Sequence, residues 1–285
     1  PVRATPDPER LDEIKAGLLE ARERRVRPGL DDKRLTAWNA LMVSALADAG
    51  AVLDEPRYRD AAVATAEFVL RDLRDADGRL LRTYNHGRAH LDAYLEDHAF
   101  LLEALLVLYE ATFEERWFSA ARDLADTIVA RFADTDRGGF FSTADDHEKL
   151  IARRKDLEDS PIPAGGSSAA LGLLRLAAFT GEQRYEDAAA GQLALLHEVA
   201  VRHPTAFGHL LQAIDLQLAP RREVELRRRE PDEHRHLRRH RLGQDDHAQR
   251  HVEDDRPRRA RDHHRRRRRA SAAAAALASA RNPPR

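Results

Sequence analysis

Apolar stretches with helical spacing alternate with charged ones along most of the chain, and three of these alternations align with one another. In each, a helix rich in small and apolar residues stops at a Glu-x-Arg-(Tyr/Trp) turn, and a second helix follows. The turns are Glu55-Pro56-Arg57-Tyr58, Glu114-Glu115-Arg116-Trp117 and Glu182-Gln183-Arg184-Tyr185, spaced by 59 and then 68 residues. A helix pair that recurs in this way is the mark of stacked αα-hairpins. The first helix of each pair is apolar most of the way round, as in Leu41, Val43 and Leu46, in Phe100 to Leu102 with Leu105, Leu106 and Leu108, and in Leu171, Leu173, Leu174 and Leu176. Such helices are buried on most sides. The second is amphipathic, with Arg71, Asp72 and Arg74, or Arg122, Asp123 and Asp126, around an outer face. The pattern therefore predicts an inner ring of buried helices wrapped by an outer amphipathic ring.

Pro204 opens a further helix over residues 206–218, and residues 11–25 read as a charged, exposed helix before the repeat. The expected fold class is all-α, an incomplete toroid of helical hairpins with about seven helices, or three and a half pairs. Residues 1–30 are an N-terminal charged helix and linker, 31–220 the partial toroid, and 221–285 a tail of different character. Turns within a pair are short, whereas the connections over residues 75–92 and 134–166 are long. Long ordered loops in a compact domain tend to carry function. Here they converge on the N-terminal ends of the inner helices, where unpaired N–H groups and the helix dipole favour polar ligands.

Charge separates the body from the tail. Residues 221–285 hold 21 Arg, no Lys and 11 Asp or Glu, a net of +10, while the remainder carries 27 basic and 38 acidic residues, a net of −11. The tail has six Val or Leu and no aromatic residue, too little apolar surface to offset chain entropy, so disorder is expected there. Its Arg265–Arg269 run suits phosphates without sequence choice, and the lack of interleaved aromatics argues against specific nucleic-acid recognition. An abrupt shift to Arg, His, Asp, Pro and Ala also fits a reading-frame change just after Leu226. The absence of Cys removes disulfide, thiolate-zinc and thiol chemistry. No apolar run has the length of a membrane span. The opening Pro1-Val2-Arg3-Ala4-Thr5-Pro6 is neither a signal peptide nor an initiator segment. A start within a longer gene product and a cytoplasmic location are expected.

Four ordered stretches carry a family resemblance. They are Asp31-Asp32-Lys33-Arg34-Leu35-Thr36-Ala37-Trp38-Asn39; Leu95-Glu96-Asp97-His98-Ala99-Phe100 with Leu108-Tyr109-Glu110-Ala111-Thr112; Gly138-Gly139-Phe140-Phe141-Ser142-Thr143; and Asp159-Ser160-Pro161-Ile162-Pro163-Ala164-Gly165-Gly166-Ser167. Together they resemble the thioredoxin-domain-containing proteins related to spermatogenesis-associated protein 20. The resemblance implies a thioredoxin-like domain upstream, absent from this chain, followed by an (α/α)6 toroid similar to N-acylglucosamine 2-epimerases and six-hairpin glycosidases. This chain resembles the second half of that toroid. It departs from the family pattern at Ala40, His98 and Ala164-Gly165-Gly166-Ser167.

Candidate chemistry lies at the toroid mouth. Asp32, Asp97 and His98 are the candidate catalytic groups, two carboxylates and an imidazole suited to moving a proton from a sugar carbon. Trp38, Asn39, Tyr94, Arg153 and Ser167 are the candidate substrate-binding groups, with Trp38 as a stacking platform. Each has a structural alternative: Asp31 or Asp32 as an N-cap, Trp38 as core, Glu96 and Asp97 as helix-terminal charges, Ser167 as a cap with close packing. Residues 96, 97 and 98 also point about 100° apart on a helix, so at most two share the lumen. There is no GxGxxG, P-loop or His-Glu-x-x-His motif, and neither cofactor nor metal is expected. The readings are a sugar epimerase, isomerase or glycosidase-like enzyme, a non-catalytic module binding carbohydrate or protein, and an inactive truncated or frameshifted product.

Overall fold

A computed structural model describes residues 7–148 and 151–220 of the chain. The tail at 221–285, with its expected disorder and frame change, lies outside the described residues. The first element, α1 (Pro8–Glu23), is capped by Asp7 and buries no residue, as a charged helix without an apolar stripe should. Three hairpins follow: α2 (Thr36–Val52) with α3 (Pro56–Asp72), α4 (Leu95–Thr112) with α5 (Glu115–Arg131), and α6 (Gly165–Thr180) with α7 (Gln183–Arg202). A half pair, α8 (Gly208–Leu218), completes the described repeat. Helices α2, α4, α6 and α8 pack in succession as the inner layer, and α3, α5 and α7 pack outside their own partners. The architecture is an all-α, incomplete toroid of helical hairpins.

The recurring turn has a physical explanation. In each copy the Arg guanidinium lies over the following ring, at 4.9 Å for Arg57 and Tyr58, 4.0 Å for Arg116 and Trp117, and 4.5 Å for Arg184 and Tyr185. The same Arg reaches back to the Glu that opens the motif, at 3.5, 2.7 and 2.8 Å. Ion pair and cation–π contact together fix the angle at which the outer helix leaves the inner one. The residue before each Glu is left-handed, with φ of 51° at Asp54, 57° at Phe113 and 70° at Gly181. That conformation ends the inner helix and reverses the chain.

Burial differs along the inner layer. Helices α4 and α6 are enclosed almost all round, but α2 buries only Thr36, Ala37, Ala40, Val43, Ala47 and Gly50. Trp38 and Met42 are exposed. The expectation that every inner helix is buried on most sides therefore fails for α2, whose one inner-layer neighbour is α4. The last helix also starts later than its periodicity suggests. Pro204–Ala206 forms a 3₁₀ turn, and α8 begins at Gly208.

The connection over residues 75–92 is not an irregular loop. It contains β2 (Leu81–Asn85) and β3 (Arg88–Asp92), paired antiparallel through a two-residue turn at His86 (φ 47°) and Gly87 (φ 79°). A short β1 (Arg34–Leu35) pairs with β2, setting Arg34 opposite Tyr84. The later connection stays irregular but is tied down. Lys155 pairs with Asp134 at 2.8 Å, and a Cβ on Gly138 would stand 2.8 Å from the Gly191 carbonyl of α7. Only glycine admits that approach.

Candidate functional site

The N-termini of α2 and α4 are joined by one side chain. Asp97 is fully buried, and its Oδ1 accepts from the Ala37 N–H at 2.9 Å, in the first turn of α2. Its Oδ2 accepts from the Tyr94 N–H at 2.9 Å and from the Arg82 guanidinium at 2.9 Å. No side chain of its own caps α2, so Asp97 of the next hairpin does so. Burial lifts the Asp97 pKa to about 6, against the pull of Arg82 and the two backbone N–H groups. Arg82 also binds Glu96 at 2.7 Å and lies 4.7 Å over the Tyr94 ring. Burial alone would lower the Arg82 pKa, but Asp97 and Glu96 raise it. Arg82, Tyr94 and Glu96, with Asp97 behind them, line a mouth cavity of about 210 Å³ together with Ser142 and Asp156. The Ser142 hydroxyl donates to Asp156 at 2.9 Å.

Deeper in, α4 presents a polar stripe. Glu96, Glu103 and Glu110 follow at heptad spacing on a helix whose other positions from Leu95 to Leu108 are buried. Glu103 Oε1 meets His209 Nε2 of α8 at 2.9 Å and accepts from the Ser168 hydroxyl of α6. Three inner helices thus converge on one carboxylate. Asp159 holds the arrangement from the loop, accepting from the Ala164 N–H at 2.9 Å, the His209 N–H at 2.8 Å and the Leu210 N–H at 3.1 Å. Burial would lower the His209 pKa, but the Glu103 bond and the charges of Glu103 and Asp159 outweigh it and raise it. With Nε2–H donated to Glu103, Nδ1 carries the lone pair of a base whose pKa is raised. One turn of the stripe further, Arg175 pairs with Glu110 at 3.0 Å.

The candidate residues do not all meet at the mouth. Tyr94 and Asp97 stand there together, Asp97 with its oxygens occupied by helix-terminal N–H groups and Arg82. His98 faces the other side of α4, where its ring lies 5.0 Å from Phe132 and lines a separate cavity. Its Nδ1 bonds the Tyr94 carbonyl at 2.9 Å, and burial holds its pKa down to about 4. The step of 100° per residue explains this split between neighbours. Asp32 is exposed ahead of β1. Trp38 is 64% exposed on the first turn of α2, while Asn39 donates to the Leu35 carbonyl at 2.8 Å and faces Phe68 and Tyr84. Arg153 braces its loop, donating to the Arg131 carbonyl at 3.1 Å and to the Thr143 carbonyl, with its guanidinium 4.1 Å over Phe141. Ser167 is wholly buried with an unpartnered hydroxyl, and its neighbour Ser168 reaches Glu103 instead. Sequence reasoning missed Glu103, His209 and Asp156. A lone carboxylate inside the apolar run of α4 was the signal for the first.

Among the described residues, no group of three or more His, Asp or Glu is placed to hold a metal ion. No described helix is long and apolar enough to cross a membrane.

The arrangement is that of a sugar-epimerase-like helical toroid, and residues 22–160 match the sequence model of the N-acylglucosamine 2-epimerase family. Among curated proteins, the chain is 39% identical over 210 residues to spermatogenesis-associated protein 20 of Homo sapiens, covering 70% of this chain and 27% of that protein. The Mus musculus protein of the same name is 36% identical over the same length and coverage. The chain therefore spans about a quarter of the length of the curated relatives it matches. In fold it is similar to cellobiose 2-epimerase from Bacillus thermoamylovorans B4167, with a TM-score of 0.50 at 16% identity over 59% of this chain and 45% of that one. A D-mannose isomerase gives a TM-score of 0.50 at 15% identity, over 65% of this chain and 54% of that one.

Proposed function

We propose that the lumen cluster of Glu103, His209 and Ser168 handles a carbohydrate, moving a proton at the carbon next to the carbonyl of an open-chain sugar. The observation that carries this reading is the largely buried Glu103–His209 pair, in which the carboxylate bond and the charges of Glu103 and Asp159 raise the imidazole pKa against the effect of burial. His209 Nδ1 takes the proton from the carbon. Glu103 holds the ring in one tautomer and stabilises the imidazolium that results. Return of the proton to the same carbon, once the enediol has turned its other face to His209, gives an epimer; return to the neighbouring carbon, with the hydroxyl proton passing to the former carbonyl oxygen, gives the aldose–ketose isomer. Arg82 and Tyr94 at the mouth bind sugar hydroxyls. Asp97 acts as a positioning residue that fixes the mouth. Likeness in fold to a sugar epimerase and a sugar isomerase supports this class of chemistry.

Time-resolved NMR of the anomeric and C2 protons of D-mannose, D-glucose and D-fructose tests the reading. Interconversion that His209→Asn abolishes supports it. Saturable binding without interconversion favours a carbohydrate-binding module, and binding or turnover indifferent to His209→Asn and Glu103→Gln removes the lumen cluster from the account.

A further inference from the structure

On the far side of α4 from the lumen lies a cavity of about 220 Å³, between the turn that follows α3 (residues 74–80), the C-terminal half of α5 and the segment with Ala144 and His147. Its base carries two buried groups with unused hydrogen-bonding capacity. His98 is 6% exposed, and with Nδ1–H given to the Tyr94 carbonyl, its Nε2 is an acceptor without a partner among the described residues. Arg74 Nε is a buried donor without a partner, and among the described residues no carboxylate pairs with its guanidinium. The other two guanidiniums of the lining, Arg79 and Arg131, both bind Asp146. At the rim, Asp77, Asp92 and Asp123 have no cationic partner among the described residues.

Arg74 Nε is a buried donor that costs free energy while unpaired, and it lines the same cavity as the His98 acceptor, so a group that both gives and takes a hydrogen bond suits the two together. A carboxylate has no proton to give His98, and a phosphate dianion, which has one, meets the three carboxylates of the lining. An ammonium meets the Arg74 charge. A hydroxyl satisfies both groups at the base, and further hydroxyls suit the rim carboxylates. The volume takes one small ligand and no more. We propose that this cavity is a second binding site, outside the toroid lumen, for a neutral polyhydroxylated small molecule such as a single sugar ring. The two sites share one wall: His147, which lines the second, lies 5.8 Å from the Tyr94 ring of the mouth.

The test is NMR of the whole chain, reading the Arg74 Nε–H and the His98 imidazole during titration with D-mannose, D-glucose or inorganic phosphate. The proposal expects saturable shifts of both groups with a sugar and none with phosphate. Arg74→Gln weakens the sugar binding by about tenfold or more. Thr127→Phe, which fills the cavity from half-buried α5 without removing a group of the base, does the same. Glu103→Gln leaves the shifts in place, because it acts on the lumen alone. Absence of a saturable shift overturns the proposal, as does a response to phosphate only, as for an anion site. So does full binding in folded Thr127→Phe, or loss of the shifts in Glu103→Gln, which would assign the binding to the lumen.

Discussion

Replacing Asp97 by Ala removes a single buried side chain and unfastens two helices at once. The Ala37 and Tyr94 N–H groups lose their acceptor at the starts of α2 and α4, and Arg82 keeps only Glu96. Loss of a helix cap costs about 1 kcal/mol, and breaking a buried charged pair from one side costs about 3–5 kcal/mol. These overlap, because the same oxygens serve both, so a total of about 3–5 kcal/mol is expected at pH 7.5. Asp97→Asn keeps an oxygen acceptor for Ala37, but its amide nitrogen can accept from neither the Tyr94 N–H nor Arg82, and it should lose about half as much. Urea unfolding followed by far-ultraviolet circular dichroism measures both, with exposed Asp48→Ala of α2 as a control that leaves the midpoint unmoved. A loss below about 1 kcal/mol in Asp97→Ala would refute the claim that this carboxylate fastens the two helices.

Three further outcomes follow from the same geometry. Because burial holds the His98 pKa down to about 4 from 6.5, the unfolded chain binds a proton that the folded chain refuses between those values. Stability relative to His98→Gln is therefore full above pH 6.5 and falls by about 3 kcal/mol as pH drops to 4, which denaturant titrations in parallel buffers will show. Glu103→Gln should lower the His209 pKa below the ordinary imidazole value, since burial remains when the carboxylate charge is gone; an imidazole NMR titration reads this directly. Phe113→Gly should stabilise the fold by about 0.5–1 kcal/mol in thermal unfolding, because exposed Phe113 occupies the left-handed position that α6 fills with Gly181.

The fold was legible in the sequence because its repeat is carried by side chains with local work to do. Each Glu-x-Arg-aromatic turn is an ion pair and a ring contact within four residues, so it marks the hairpins without knowledge of the rest. The β2–β3 hairpin was equally local, with His86-Gly87 between alternating strands, but reading the segment as a loop concealed it. The site was less legible because it is assembled across helices. Asp97 and His98 are adjacent in the chain and opposed in space, one turned to α2 and the other to α5. His209 meets Glu103 across a separation of 106 residues that no periodicity reveals. A carboxylate standing alone among Phe100, Leu102, Leu105 and Leu106 did mark Glu103, since a buried charge needs a partner.

Proton movement at His209 is open to direct measurement. The chain is incubated with D-mannose in deuterium oxide, and the C2 proton signal is followed by NMR. The account predicts deuterium wash-in at C2 that falls about a hundredfold or more in His209→Asn and in Glu103→Gln, while Arg74→Gln exchanges as the parent does. Exchange that survives intact in His209→Asn would contradict it.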